Sequence, residues 1–147
     1  MEILTYLQDC SYGKGIVANT SLNAGTAVQK YEGSIVPWEQ VPNDEIRYAI
    51  LVSDDQWMII KTDARYINHS CDPNCIINES LEVVTIRPVN KDEEITVRYN
   101  VVYKNENPGM WDNRWSFKCL CGSKICQGVI DKYINEDGSE CKPSGEY

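Results

Sequence analysis

Arg65-Tyr66-Ile67-Asn68-His69-Ser70-Cys71-Asp72-Pro73-Asn74 is the stretch on which the reading of this chain turns. Its second half, Asn68-His69-Ser70-Cys71-x-Pro73-Asn74, fixes six residues in a span of seven. At equal residue frequencies such a string arises at a given start about once in tens of millions. The lone histidine of the 147-residue chain lies inside it. An isolated histidine is more often a core or surface residue than a functional one, and the setting of this one reverses that expectation.

Around this stretch the chain reads as short strands divided by turns. Gly15-Ile16-Val17-Ala18 follows the turn-like Ser11-Tyr12-Gly13-Lys14, and Thr26 to Tyr31 follows Asn23-Ala24-Gly25. Ser34-Ile35-Val36 stops at Pro37, and the polar residues 38–47 read as a surface loop or short helix. Tyr48-Ala49-Ile50-Leu51-Val52 and Trp57-Met58-Ile59-Ile60 flank Ser53-Asp54-Asp55-Gln56, a hairpin signal. Leu81 to Arg87 is a β-branched run ended by Pro88, and Glu94 to Tyr99 alternates in strand fashion. No long amphipathic helix, internal repeat or low-complexity tract is present. The character changes near residue 104: residues 1–103 form a β-rich body, 104–114 a linker, 115–133 a cysteine-bearing appendage and 134–147 a polar tail.

Seven cysteines, an odd number, in a chain whose opening residues show no leader pattern argue against a disulfide scaffold. Cys119-Leu120-Cys121-Gly122-Ser123-Lys124-Ile125-Cys126 supplies three closely spaced thiols, whereas structural zinc takes four ligands. By residue type alone the fourth is Cys10, Cys71, Cys75, Cys141 or His69.

At 42% hydrophobic and 24% charged residues the composition is globular, and the length suits one domain. No apolar run is long enough to span a bilayer, so a soluble intracellular monomer without a membrane partner, cytoplasmic or nuclear, is expected. A net charge of -8 disfavours direct nucleic-acid binding, which needs a cationic surface. It suits a lysine-rich partner through steering, although charge of this size also serves solubility alone.

In five segments, taken in order, the chain resembles the SET-domain lysine methyltransferases. Gly13-Lys14-Gly15-Ile16-Val17-Ala18 is similar to the family's opening GxG strand, and Tyr31-Glu32-Gly33 to its YxG segment. Arg65 to Asn74 resembles the RxxNHSCxPN motif, Asp92 to Tyr99 the segment ending in the catalytic tyrosine, and Phe117 to Gly128 the post-SET zinc motif. The resemblance implies a mainly β fold of several small sheets, β-clip-like, with a C-terminal pseudoknot and a small zinc-bound post-SET segment. It implies a structural zinc ion held by Cys71 with Cys119, Cys121 and Cys126, leaving Cys10, Cys75 and Cys141 as free thiols.

It further implies S-adenosylmethionine as methyl donor. The main chain of Lys14-Gly15-Ile16 would lie against it, glycine allowing close approach. Asn68 and His69 would bind its amino-acid and adenine portions, Arg65 and Tyr48 would stand near it, and Tyr99 would be catalytic. The acceptor implied is a lysine-containing protein, a histone being the familiar case. A catalytically silent binding module and methylation of a small amine or another non-histone substrate are the alternatives. This chain departs from the family in three ways. Arg98 stands where many relatives carry Asp, Val97 stands where many histone-directed relatives carry an aromatic, and no cysteine-rich region precedes residue 13. Tyr103, Trp111, Trp115 or Phe117 is the expected replacement for the missing aromatic wall.

Overall fold

The computed structural model describes residues 3–10, 13–53, 55–102 and 111–141. β1 (Thr5–Cys10) and β2 (Gly13–Ala18) pair antiparallel, Thr5 facing Ala18 and Cys10 facing Gly13. β2 is expected from its apolar run, and Ile16, Val17 and Ala18 are all buried. β1 carries no comparable signal, since Leu7, Gln8 and Asp9 stay exposed and its pairing with β2 holds it extended.

Two three-stranded sheets follow. In one, β3 (Ala27–Lys30) and β8 (Cys75–Ile77) flank β9 (Glu82–Thr85). In the other, β4 (Gly33–Val36) and β5 (Ala49–Ser53) flank β6 (Gln56–Ile60). Gly33 is required there, because a Cβ would stand 1.9 Å from the Ile59 carbonyl oxygen. The β5–β6 hairpin is tighter than four polar residues suggest: Ser53 already faces Gln56, and Asp55 adopts φ of +44°, a conformation Asp tolerates better than most residues. Between β4 and β5 lie two 3-10 helices, Trp38–Gln40 and Asn43–Tyr48. Pro37 and Pro42 precede them, in keeping with the short-helix expectation.

The centre of the molecule is the pair β7 (Asn68–His69) and β10 (Thr96–Val97), which run parallel. The segment leading into β10 is shared with β2: Ala18 N–H donates to the Glu93 carbonyl, and Ile95 N–H donates to the Ile16 carbonyl at 2.8 Å. Residues 93–97 thus bond first to β2 and then to β7, which is the crossing the resemblance implies. Asn74, 2% exposed, fastens it, donating to the Glu94 carbonyl at 2.7 Å and accepting from Thr96 N–H at 2.9 Å.

After Tyr99 come β11 (Val101–Val102), β12 (Phe117–Lys118), β13 (Val129–Ile130) and β14 (Ile134–Asn135). β12 and β13 pair antiparallel and β11 and β14 pair parallel. The stretch read as a polar tail therefore begins as a strand, with Ile134 buried. Residues 103–110, most of the expected linker, and 142–147 of the tail lie outside the described residues. Trp111, at the linker's end, packs on Trp115 and Tyr133 with ring centroids 5.0 and 4.7 Å away.

The main core gathers Ile16, Ile60, Ile67, Val83, Ile95 and Val97 from five of these segments. Each such side chain contributes about 1.5–3 kcal/mol by leaving water. A second, aromatic cluster holds Trp57, Trp115 and Tyr133, and a third surrounds Cys71, Cys119 and Ile130. Among the described residues no helix is long and apolar enough to cross a membrane.

Candidate active site

Tyr99 follows β10 directly, so the pairing with β7 sets its position. Its hydroxyl donates to the Ile67 carbonyl. Burial pushes that hydroxyl above its ordinary pKa of 10; Arg47 opposes the shift, while Glu94 and Tyr48 reinforce it. The phenol is therefore a protonated donor at neutral pH.

Tyr99 lines a cavity of about 490 Å³ together with Asn68, His69, Ser70 and Glu94 from the body, Arg114 at the linker's end and residues 115–121 of the appendage. Its charges are mixed: Glu94 faces Arg47, Arg114 and Lys118. The Asn68 amide donates to the Glu94 carboxylate at 2.8 Å and to the Lys14 carbonyl at 2.9 Å. A zwitterionic amino-acid group would find partners of both signs here, beside the aromatic face of Phe117. Burial, with the charge of Arg98, holds the His69 imidazole down to about 4, so it is neutral at pH 7.

Tyr99 also lines a second cavity, about 460 Å³. Its walls include Ile50, Leu51 and Val52 of β5 and Ile76 and Ile77 of β8, with Glu79, Glu136 and Arg98 at its border. Both strands are sheet edges, so each presents unpaired main-chain groups to whatever enters. Tyr99 and Trp115 line both cavities.

The sulfur atoms of Cys71, Cys119, Cys121 and Cys126 all lie within 4.8 Å of one another, with Cys71 and Cys119 at 3.7 Å. Thiolates about 2.3 Å from a tetrahedral zinc stand about 3.8 Å apart, so the spacing fits, and an all-sulfur set suits zinc. Burial raises the thiols of Cys71 and Cys119. Burial also acts upward on Cys121, but the amides of Cys71 and Ser123 and the neighbouring thiols outweigh it and bring Cys121 down to about 6. Of the alternative fourth ligands, Cys71 joins the cluster. Cys75 is buried elsewhere, its thiol pushed up to about 12 by desolvation; Cys141 packs in the aromatic cluster, and the Cys10 side chain lies outside the described residues.

The other residues singled out by sequence fall around these cavities. Lys14, Gly15 and Ile16 lie within β2 and outside the lining of both large cavities; the Lys14 carbonyl accepts from the Asn68 amide. The Arg65 guanidinium stacks 3.9 Å over the Tyr48 ring and pairs with Glu45 at 2.8 Å. This stack lies outside the lining of both large cavities, and Arg65 instead borders a small crevice shared with Arg47 and Tyr99. Val97 points into the core, 1% exposed, and Arg98 donates to the Cys71 carbonyl. Of the expected aromatic substitutes, Trp115 and Phe117 face cavities, Trp111 supports Trp115, and Tyr103 lies outside the described residues.

Sequence reasoning missed Arg47, Arg114 and Lys118, which no motif marks and only the fold brings together. It also passed over Asn100, next to Tyr99. Asn100 is fully buried and donates to the Lys132 carbonyl at 2.7 Å, tying the body to the appendage.

The SET-domain family model matches residues 13–100, more than half of the chain. A histone-lysine N-methyltransferase of Emericella nidulans, named H3 lysine-4 specific, is 28% identical over 80% of this chain and 11% of its own length. Histone-lysine N-methyltransferase ash1 of Drosophila melanogaster is 28% identical over 91% of this chain and 7% of its own length. ASHH1 of Arabidopsis thaliana, also named a histone-lysine N-methyltransferase, is 25% identical over 90% of this chain and 33% of its own length. The chain thus spans a third or less of these relatives. A crystal structure from Plasmodium falciparum, described as a histone methyltransferase, superposes with a TM-score of 0.55 at 17% identity. It covers 67% of this chain and 95% of its own, and shows the likeness of fold.

Proposed function

Since this chain belongs to the SET-domain family, we propose that it moves a methyl group from S-adenosylmethionine to the ε-amine of a protein lysine. The observation that carries the reading is that one half-buried phenol, Tyr99, borders two cavities whose charged side chains differ. The first carries Arg47, Arg114 and Lys118 with Glu94, fit for an amino-acid-bearing cofactor; the second carries Glu79 and Glu136 with Arg98 and is bordered by two strand edges, fit for an extended cationic peptide.

S-adenosylmethionine, when bound, supplies an electrophilic methyl on a cationic sulfur. Glu94 and Asn68 would hold the ammonium and Arg47 or Lys118 the carboxylate. His69 would flank the adenine, and Lys14-Gly15-Ile16 would back Asn68. Arg65 and Tyr48 enter as a brace behind Tyr99. The acceptor amine must be neutral to attack, and holding a lysine of pKa 10.4 neutral at pH 7 costs about 4–5 kcal/mol. Desolvation by Ile50, Val52 and Ile77 lowers that pKa, and no base is needed where burial and a nearby cation disfavour the ammonium. The Tyr99 hydroxyl would orient the amine toward the methyl.

In the same reading Cys71, Cys119, Cys121 and Cys126 hold a structural zinc that fastens the appendage, and with it one wall of the cofactor cavity. The names of the relatives make a histone the first acceptor to try, and the net charge of -8 supports a cationic one.

Calorimetric titration with S-adenosylmethionine, followed by transfer of labelled methyl to histones and to a lysine-rich protein mixture, tests the proposal. Saturable binding and label on protein lysine are expected. Binding without transfer to any protein would identify a silent module, and label confined to small molecules would exclude protein lysine.

A further inference from the structure

We infer that His69 is a positioning residue, an N–H donor to the sulfur of Cys71 that ties the main chain of Tyr99 to the four-cysteine cluster. The inference rests on the reading of that cluster as a zinc site. The main-chain N–H of Tyr99 points at His69 Nδ1 from 3.0 Å. An amide N–H can only donate, so Nδ1 carries the lone pair, and in a neutral imidazole the proton then sits on Nε2. Nε2 lies 3.5 Å from Cys71 Sγ, an N–H···S distance. The tautomer thus follows from one contact and the role from the other.

The surroundings hold this arrangement in place. His69 sits in β7 directly opposite Val97, so the parallel pairing fixes its backbone two residues before Tyr99. Phe117 packs edge-on to the ring with centroids 5.7 Å apart. Cys71 is held from two further sides, its sulfur accepting from Gln127 N–H at 3.3 Å and its carbonyl accepting from Arg98. Cys126 accepts similarly from Gly128 N–H at 3.4 Å. Four thiolates around one divalent ion leave roughly two negative charges in excess, and in a buried site N–H donors are what offset them. Arg98 adds a cation to the same side.

The consequence is a line of contact from the metal through Cys71 and the imidazole to the amide of Tyr99. Loss of metal should therefore be felt at Tyr99 even though no ligand is contributed by it.

Nitrogen-15-labelled protein loaded with cadmium-113 tests this by NMR. Expected are a protonated His69 Nε2, a lone pair on Nδ1, and scalar coupling from cadmium to the His69 Nε2 proton as well as to the Gln127 amide proton. A proton on Nδ1, or bound cadmium coupled to Gln127 but not to His69, overturns the inference while leaving the zinc site standing. Protein that takes up neither cadmium nor zinc overturns both. Two variants give a second readout, because a Gln amide reaches the place of Nε2 and an Asn amide the place of Nδ1. Zinc release to a chelator should stay near wild type in His69→Gln and accelerate roughly 10–100-fold in His69→Asn. Exchange of the Tyr99 amide proton should accelerate in His69→Gln and not in His69→Asn. Equal zinc release in all three proteins overturns the inference.

Discussion

At Tyr99 a single side chain borders both cavities. Tyr99→Phe removes the donor to the Ile67 carbonyl and the group facing both cavities, without changing the packing of the ring. Transfer should fall by at least about 100-fold, the usual effect of deleting one oriented donor, with affinity for S-adenosylmethionine nearly unchanged. Turnover at the wild-type rate would remove Tyr99 from the mechanism. The hydroxyl is raised above its unfolded pKa of 10, so the stability it contributes is present below pH 10 and is lost as the pH climbs beyond it. Phenolate absorbance should accordingly show no difference between wild type and Tyr99→Phe below pH 10. A difference appearing at pH 8 or 9 would mean that the phenol ionises in the folded protein.

At the level of elements, two devices hold β10 and the appendage in place. Asn74 binds the segment on both sides of Ile95, and Asn74→Ala leaves the Thr96 amide and the Glu94 carbonyl without that partner in a buried setting. A loss of about 1–3 kcal/mol in denaturant unfolding is expected. Cys121→Ser removes one of four sulfur ligands, and with β12 and β13 only two residues each, little else holds their loop. Metal analysis should find about one zinc per wild-type chain and far less in the variant, with transfer lost in parallel. Wild-type protein purified without any zinc would refute the four-cysteine site.

For the whole molecule, the excess of 22 acidic over 14 basic side chains sets a long-range field that draws in cations. KM for a lysine-rich peptide should rise steeply with salt as screening shortens the reach of that field to about 8 Å at physiological ionic strength, while kcat changes little. A salt-independent KM would locate recognition in contacts inside the second cavity alone. The three clusters behave as one body in this respect, because Tyr99 packs against both the main and the aromatic core and Trp111 joins the aromatic core to the cysteine cluster.

Legibility in the sequence follows the range of the interactions. The NHSC segment, the CxCx4C spacing and the apolar runs of β2, β6 and β9 are local, so their residues carried the family, the thiols and much of the sheet structure without any coordinates. Even Cys71 as fourth ligand needed the family resemblance, since by residue type five candidates were open. Strands of two residues, such as β7, β10 and β14, have no periodicity to display, and β1 is extended only because β2 pairs with it. Which charges line the first cavity was likewise decided by tertiary structure: Arg47, Glu94 and Lys118 come from distant segments and share a wall only in the folded chain. The sequence by itself determined the candidate reacting groups, because chemistry resides in residue types at short spacing. The tertiary structure alone decided which of them share a cavity, because that depends on registers formed between segments far apart in the chain.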